Sequence, residues 1–137
     1  MTVMSNEEFA EYVLNLAKNA PPFEPMATYN PDGDCIEFLV APDPFYAERV
    51  DDLVTVYYSH DTNEIIGSLI KGVSRFCRQW PGFKIEIQDG PVKLEHIFRT
   101  KLWTTNPQPD EIKTLIYRKL IAMAEQNEAQ AQLVGVE

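Results

Sequence analysis

The turn Asn30-Pro31-Asp32-Gly33-Asp34 and the alternating run behind it constrain this chain more than any other stretch. Proline sets φ at the second turn position, aspartate accepts local backbone hydrogen bonds, and glycine is expected to take the left-handed corner, so the segment predicts a hairpin. Beyond it, Ile36, Phe38 and Val40 fall on one side of an extended chain and Cys35, Glu37 and Leu39 on the other, giving one apolar and one mixed face. Val54, Val56 and Tyr58 alternate in the same way with Leu53, Thr55 and Tyr57, and the polar connection 59–63 leads into Ile65 and Ile66, a second hairpin. Ala41-Pro42-Asp43-Pro44 is excluded from a central strand because two prolines remove ladder donors, while 45–50 is placed as a short edge strand. The expected strands are thus 35–40, 53–58 and 64–70, in a β-meander over residues 27–72. Ile66, Ile70, Val73 and Cys77 also fit a helical period, but Gly67 and Gly72 favour the strand.

The run from Tyr29 to Phe38, followed by Val54-Thr55-Val56-Tyr57-Tyr58-Ser59 and Ile65-Ile66-Gly67, resembles a family of small bacterial β-meander domains of unknown function. Members of that family open on a Tyr-Asp-Pro-x-x-Asp-type hairpin and close on a Gly-Ile-Glu-Ile-type strand. The likeness covers residues 27–72, about a third of the chain. This sequence departs from the pattern at Ser68-Leu69, where the family usually has Ile-Glu, and at Asn63-Glu64, where a glycine is usual. The shared residues are those of hairpins, so the resemblance implies a fold and a bacterial source and assigns no catalytic role.

Around the meander, helical periods take over. Ser5 with Glu8 forms a capping box, and Phe9, Val13, Leu16, Ala17 and Ala20 recur at helical spacing, predicting a helix over 6–19 that Pro21-Pro22 ends. Val73, Phe76, Cys77 and Trp80 share one stripe of a short helix over 73–80, closed by Pro81-Gly82. The alternation in 83–88, the turn Asp89-Gly90-Pro91 and the run from Val92 predict a hairpin over 83–98, with a bulge, or a helical turn through 98–103, where the alternation fails near His96. A C-terminal helix is expected over 109–126, with Ile112, Leu115, Ile116, Lys119, Leu120 and Met123 as its apolar stripe. Together these predict an α+β fold: one domain over 1–137, with a single antiparallel sheet of about five to seven strands and the N- and C-terminal helices packed on one face.

Net charge is −9 and the isoelectric point near 4.7. This argues against duplex nucleic acid or an anionic membrane as the main partner, since both recruit cationic surfaces. Cys35 and Cys77 lack the spacing of a disulfide scaffold or zinc site, and no window reaches membrane-spanning length, so a cytoplasmic location with reduced, buried thiols is expected.

No catalytic, cofactor-binding or metal-binding residues are assigned. The oxygens of 30–34 suggest a calcium loop, but its sixth position is Cys35 where glycine is needed and its twelfth is Ala41 where a bidentate Glu is needed. Asp51-Asp52 and Asp61 with Glu64 are carboxylate pairs of a kind that acidic loops produce without chemistry; His60, beside Asp61, and His96, after Glu95, are the two residues able to act as neutral-pH bases, and a Cys77 nucleophile with a histidine base is the alternative to surface histidines and an inert thiol buried in an apolar stripe, which are expected. Arg75, Arg78, Lys84, Lys93, Arg99 and Lys101 interleave with Trp80, Phe98 and Trp103, the pattern of a charge-and-stacking surface for an anion; the opposing reading is a set of solvated partners for the many acids.

The function expected is a non-enzymatic interaction or regulatory module that meets a second copy of itself or another protein. Tyr57, Phe45, Tyr46, Leu39 and Ile66 or Ile70 are surplus apolar residues on second strand faces. The competing expectation is a small-ligand domain or minor enzyme with an aromatic-lined pocket, using Tyr57, Tyr58, Trp80, Trp103, Arg75 and Arg78.

Overall fold

The structure, a computed structural model, describes residues 5–19, 23–80, 83, 91–104 and 111–133. Helix α1 spans Asn6–Asn19, and the predicted cap forms, with the Glu8 N–H donating to Ser5 Oγ at 3.2 Å. The side chains described on α1, from Asn6 to Tyr12, are all exposed.

Five strands follow: β1 (Met26–Asn30), β2 (Cys35–Leu39), β3 (Phe45–Arg49), β4 (Val54–Ser59) and β5 (Ile65–Lys71). They form one antiparallel sheet in the order β1-β2-β5-β4-β3. The fold is α+β, as expected, and β3 is the edge strand its sequence suggested. The strand order is not that of a simple meander, in which β3 would lie beside β2. Instead β3-β4-β5 winds back inward and β5 takes the place beside β2, a Greek-key arrangement. The prolines explain how the chain crosses: β2 and β3 are three strand spacings apart, roughly 14 Å at about 4.8 Å each. An extended stretch over 40–44, stiffened by Pro42 and Pro44, spans that distance at about 3.3 Å per residue. The crossing is pinned by Ser59 Oγ donating to Asp43 at 2.7 Å and by His60 N–H donating to the Pro44 carbonyl at 2.8 Å.

The turn between β1 and β2 holds a correction. Asp34, not Gly33, takes the left-handed conformation, with φ 49°. Aspartate tolerates this corner better than most residues, and here its carboxylate is put to use by the helix described below. Between β4 and β5 the register slips after Tyr57, which pairs with Gly67 while Tyr58 pairs with Ile65, leaving Ile66 as a bulge. Gly67 is demanded by close approach: a Cβ there would lie 2.1 Å from the Phe38 carbonyl oxygen of β2.

After β5 come α2 (Val73–Arg78), a two-residue strand β6 (Val92–Lys93), α3 (Leu94–Trp103), α4 (Glu111–Gln126) and a two-residue strand β7 (Gln130–Ala131). β6 pairs with β7. The second arm of the hairpin expected over 83–98 is corrected: beyond Val92–Lys93, which pairs with β7, the chain is helical from Leu94. The first arm, 84–90, lies outside the described residues. Leu94, Ile97, Phe98 and Leu102 fit a helical stripe, and burial of the first three in the core selects that period over the strand. α4 ends in a Schellman motif whose left-handed residue is Glu128 (φ 49°), with Ala129 N–H donating to the Ala124 carbonyl at 2.9 Å.

One face of the sheet, carrying Ile36, Phe38, Val54, Val56 and Ile70, packs against Val73, Phe76 and Cys77 of α2, Leu94, Ile97 and Phe98 of α3, and Tyr117, Leu120, Ile121 and Ala124 of α4. Ile70 thus belongs to the core, not to a second face. The stripe expected on α4 holds in its C-terminal part, where Leu120 and Met123 are buried and Ile116 is partly buried, and is rotated in its first turns: Tyr117, Ile121 and Ala124 join the inward face, whereas Ile112, Leu115 and Lys119 are exposed. The other face of the sheet carries Thr55 and Tyr57, both buried. Phe45 stacks on Tyr57 at 4.3 Å, and the Tyr57 hydroxyl donates to Glu37 at 3.2 Å, so this side chain reaches from β4 across β5 to β2.

Candidate functional site

Two carboxylates fasten the sheet to the helices, and a groove opens between their attachment points. Asp34 receives Tyr29 Oη–H at 2.7 Å, Ser74 N–H at 3.0 Å and Ser74 Oγ–H at 2.8 Å, while its own carbonyl accepts Val73 N–H at 3.1 Å. A residue of the first hairpin thereby caps α2 from a distance, where Gly72 has no side chain to do so. Burial alone would raise the Asp34 carboxyl, but the bonds from Tyr29 and Ser74 hold it below its ordinary value. Burial and the same bond push Tyr29 up to about 12.

Asp51 does the corresponding work for α4. One oxygen accepts Leu53 N–H at 2.9 Å and Val54 N–H at 2.8 Å. The other accepts Tyr117 Oη–H at 2.6 Å and pairs with Lys113 at 3.2 Å. Against its desolvation, these partners keep Asp51 ionised and its carboxyl low, and burial with the Asp51 bond drives the Tyr117 hydroxyl far up. The two directions agree, since both describe a neutral phenol donating to a carboxylate. The neighbouring Asp52 pairs with Lys101 of α3 at 3.0 Å.

The groove, of about 520 Å³, is lined by Asp52 and Leu53 before β4, Lys71 and Gly72 after β5, Arg75, Phe76, Gln79 and Trp80 on and just past α2, and Lys101 and Thr104 at the end of α3. Lys71 N–H donates to the Leu53 carbonyl at 2.7 Å, which holds the two strand ends together at its base. Phe76 and Trp80 lie with ring centres 6.2 Å apart on its α2 wall. Among the described residues, Lys71 and Arg75 have no ion pair.

Of the six residues singled out from the sequence, Arg75 and Trp80 meet in this groove. Tyr57 lies on the opposite sheet face. Tyr58 stacks on Tyr46 at 5.4 Å near the β3 edge, its hydroxyl raised by burial and by Glu48. Arg78 is exposed, with its charge felt at Tyr29. Trp103 is exposed at the end of α3. Of the other interleaved groups, Phe98 is in the core and Arg99 pairs with Glu95 and Glu125. Lys71, Lys101 and Asp52 complete the groove from distant segments; Lys101 stood in the basic run and Asp52 in a carboxylate pair, and Lys71 had no sequence signal.

Asn30 Oδ1 accepts its own turn's Asp32 N–H at 3.0 Å, and the Asp34 carboxylate is taken up by Tyr29 and Ser74. Among the described residues, no three or more His, Cys, Asp or Glu gather as a metal would need. Cys77 is buried in the core, and burial with Asp34 and Glu37 nearby raises the Cys35 thiol, away from thiolate reactivity. His60 is exposed in a turn, its ring 5.1 Å from Tyr46, and His96 is half-buried on α3. No described helix is long and apolar enough to cross a membrane.

No family model, no curated protein and no solved structure matches the chain.

Proposed function

We propose that this protein is a non-enzymatic interaction module that pairs with a second copy of itself through the outer side of the α3–α4 hairpin. The observation that carries the reading is the rotation of α4: Tyr117, Leu120 and Ile121 turn inward, which leaves Ile112 and Leu115 outward at 69% and 65% exposure, and Trp103 at 87% flanks the same connection between the helices. Large apolar side chains exposed at the end of α3 and in the first turns of α4 are a costly arrangement in water, and tryptophan is the residue most enriched where protein interfaces concentrate their energy. A symmetric pairing lets each copy cover the other's patch with the same residues. A cytoplasmic setting suits the reading, since neither cysteine forms a disulfide among the described residues.

Sedimentation velocity across two decades of concentration tests this. The expected result is a monomer–dimer equilibrium that tightens with added salt, because two copies of net −9 repel and screening removes that opposition. Trp103→Ala with Leu115→Ala should leave a folded monomer. A wild-type chain that stays monomeric throughout, or a dimer that the double variant leaves intact, would overturn the proposal.

A further inference from the structure

The groove between α2, α3 and the ends of β4 and β5 has a charge that runs against the whole chain. Within a protein of net −9, Lys71, Arg75 and Lys101 line it against a single carboxylate, Asp52. Three cations and one anion leave two positive charges, and the one acid is already paired with Lys101. Gathering uncompensated like charges is unfavourable unless something of opposite sign completes the set.

We propose that this groove binds a small organic phosphate: a phosphate monoester carried on an aromatic ring system of mononucleotide size. The charge matches, since a monoester carries close to two negative charges near neutral pH. The size matches, because about 520 Å³ is the range of small-molecule sites. The wall matches too: Trp80 and Phe76 present ring surface beside the cations, as sites that stack a planar base and hold its phosphate do. Trp80 adds a second pointer. Its indole N–H is buried with no acceptor among the described residues, on a residue that lines the groove, so a polar ligand group there would offset an unmet donor. No glycine-rich phosphate loop is present in the sequence, so recognition falls to side chains. Binding should therefore be moderate and strongly dependent on salt.

The test is isothermal titration of the intact chain with adenosine 5′-monophosphate in low salt, with adenosine and inorganic phosphate as separate titrants. The expected result is saturable binding of the monophosphate at about 1 mM or tighter, weakening with added salt and with acidification through the second phosphate pKa, about 6. Adenosine should not bind, and inorganic phosphate should bind at least tenfold more weakly. Lys71→Glu with Arg75→Glu should weaken the monophosphate at least tenfold, and Arg75→Gln alone should weaken it by less; both sites are exposed, and circular dichroism checks that the fold is retained. No binding, equal binding of adenosine, inorganic phosphate binding as tightly as the monophosphate, or an unchanged affinity in the folded charge-reversed variant would each overturn the assignment. The outcome is independent of whether the chain dimerises.

Discussion

Tyr117→Phe removes one oxygen from the best-connected polar cluster in the molecule and changes almost nothing else. The ring is fully buried and packs edge-on against Phe98 with centres 6.3 Å apart, so phenylalanine keeps the packing. What is lost is a 2.6 Å bond to Asp51, a neutral donor to a charged acceptor, worth about 1.5–3 kcal/mol. The higher half of that range is favoured because the Tyr117 ring is fully buried and the Asp51 side chain is only 9% exposed, so water does not readily take the place of the phenol. Urea denaturation at pH 7 should show a loss of about 2–3 kcal/mol, and a thermal melt should fall by roughly 6–12 °C in a domain of this size. The pH dependence discriminates this bond from generic destabilisation. Asp51 is held below its ordinary value of 3.8, so its contribution is present above that pH and is lost as pH falls through the depressed folded value. Tyr117 is raised above its ordinary 10.0, so its contribution is present below pH 10 and is lost as the unfolded phenol ionises above it. The gap between wild type and Tyr117→Phe should therefore be widest between about pH 5 and 9 and shrink on both sides. Equal stability of the two proteins at neutral pH, or a gap that does not change with pH, would refute the reasoning.

Asp34→Gly keeps the left-handed corner but removes the cap on α2, and should cost about 1–2 kcal/mol by urea titration; Asp34→Ala should cost about 1 kcal/mol more, because alanine also resists positive φ. Gly67→Ala drives a Cβ to 2.1 Å from a backbone oxygen, and should destabilise by about 3 kcal/mol or more, seen as a collapsed melting temperature or insoluble expression. Glu128→Gly relieves a left-handed glutamate in the cap of α4 (φ 49°) and should raise stability by about 1 kcal/mol, read as a higher denaturation midpoint with unchanged slope.

The elements whose evidence is local were legible in the sequence. The capping box placed α1, alternation placed β2, β4 and β5, and the prolines before Phe45 pushed β3 to an edge. Part of the groove was legible in the same way, because Arg75 and Trp80 stand in a run where cations and aromatic rings interleave. Lys101 stands in that run as well, but Lys71 does not, and nothing along the chain says that the end of a strand and the end of a helix thirty residues on meet in one groove.

Three decisions belonged to the tertiary structure. Residues 94–98 fit both a strand and a helix period, and burial against the sheet chose the helix. On α4 two phases of the apolar stripe competed, and the one that brings the Tyr117 hydroxyl to Asp51 won, which sent Ile112 and Leu115 outward. β5 lies beside β2 because residues 40–44 carry the chain over the sheet, a pairing set by where distant segments come to rest. Spacing along a chain determines which side chains share a face; which face is buried, and against what, depends on partners far away in sequence.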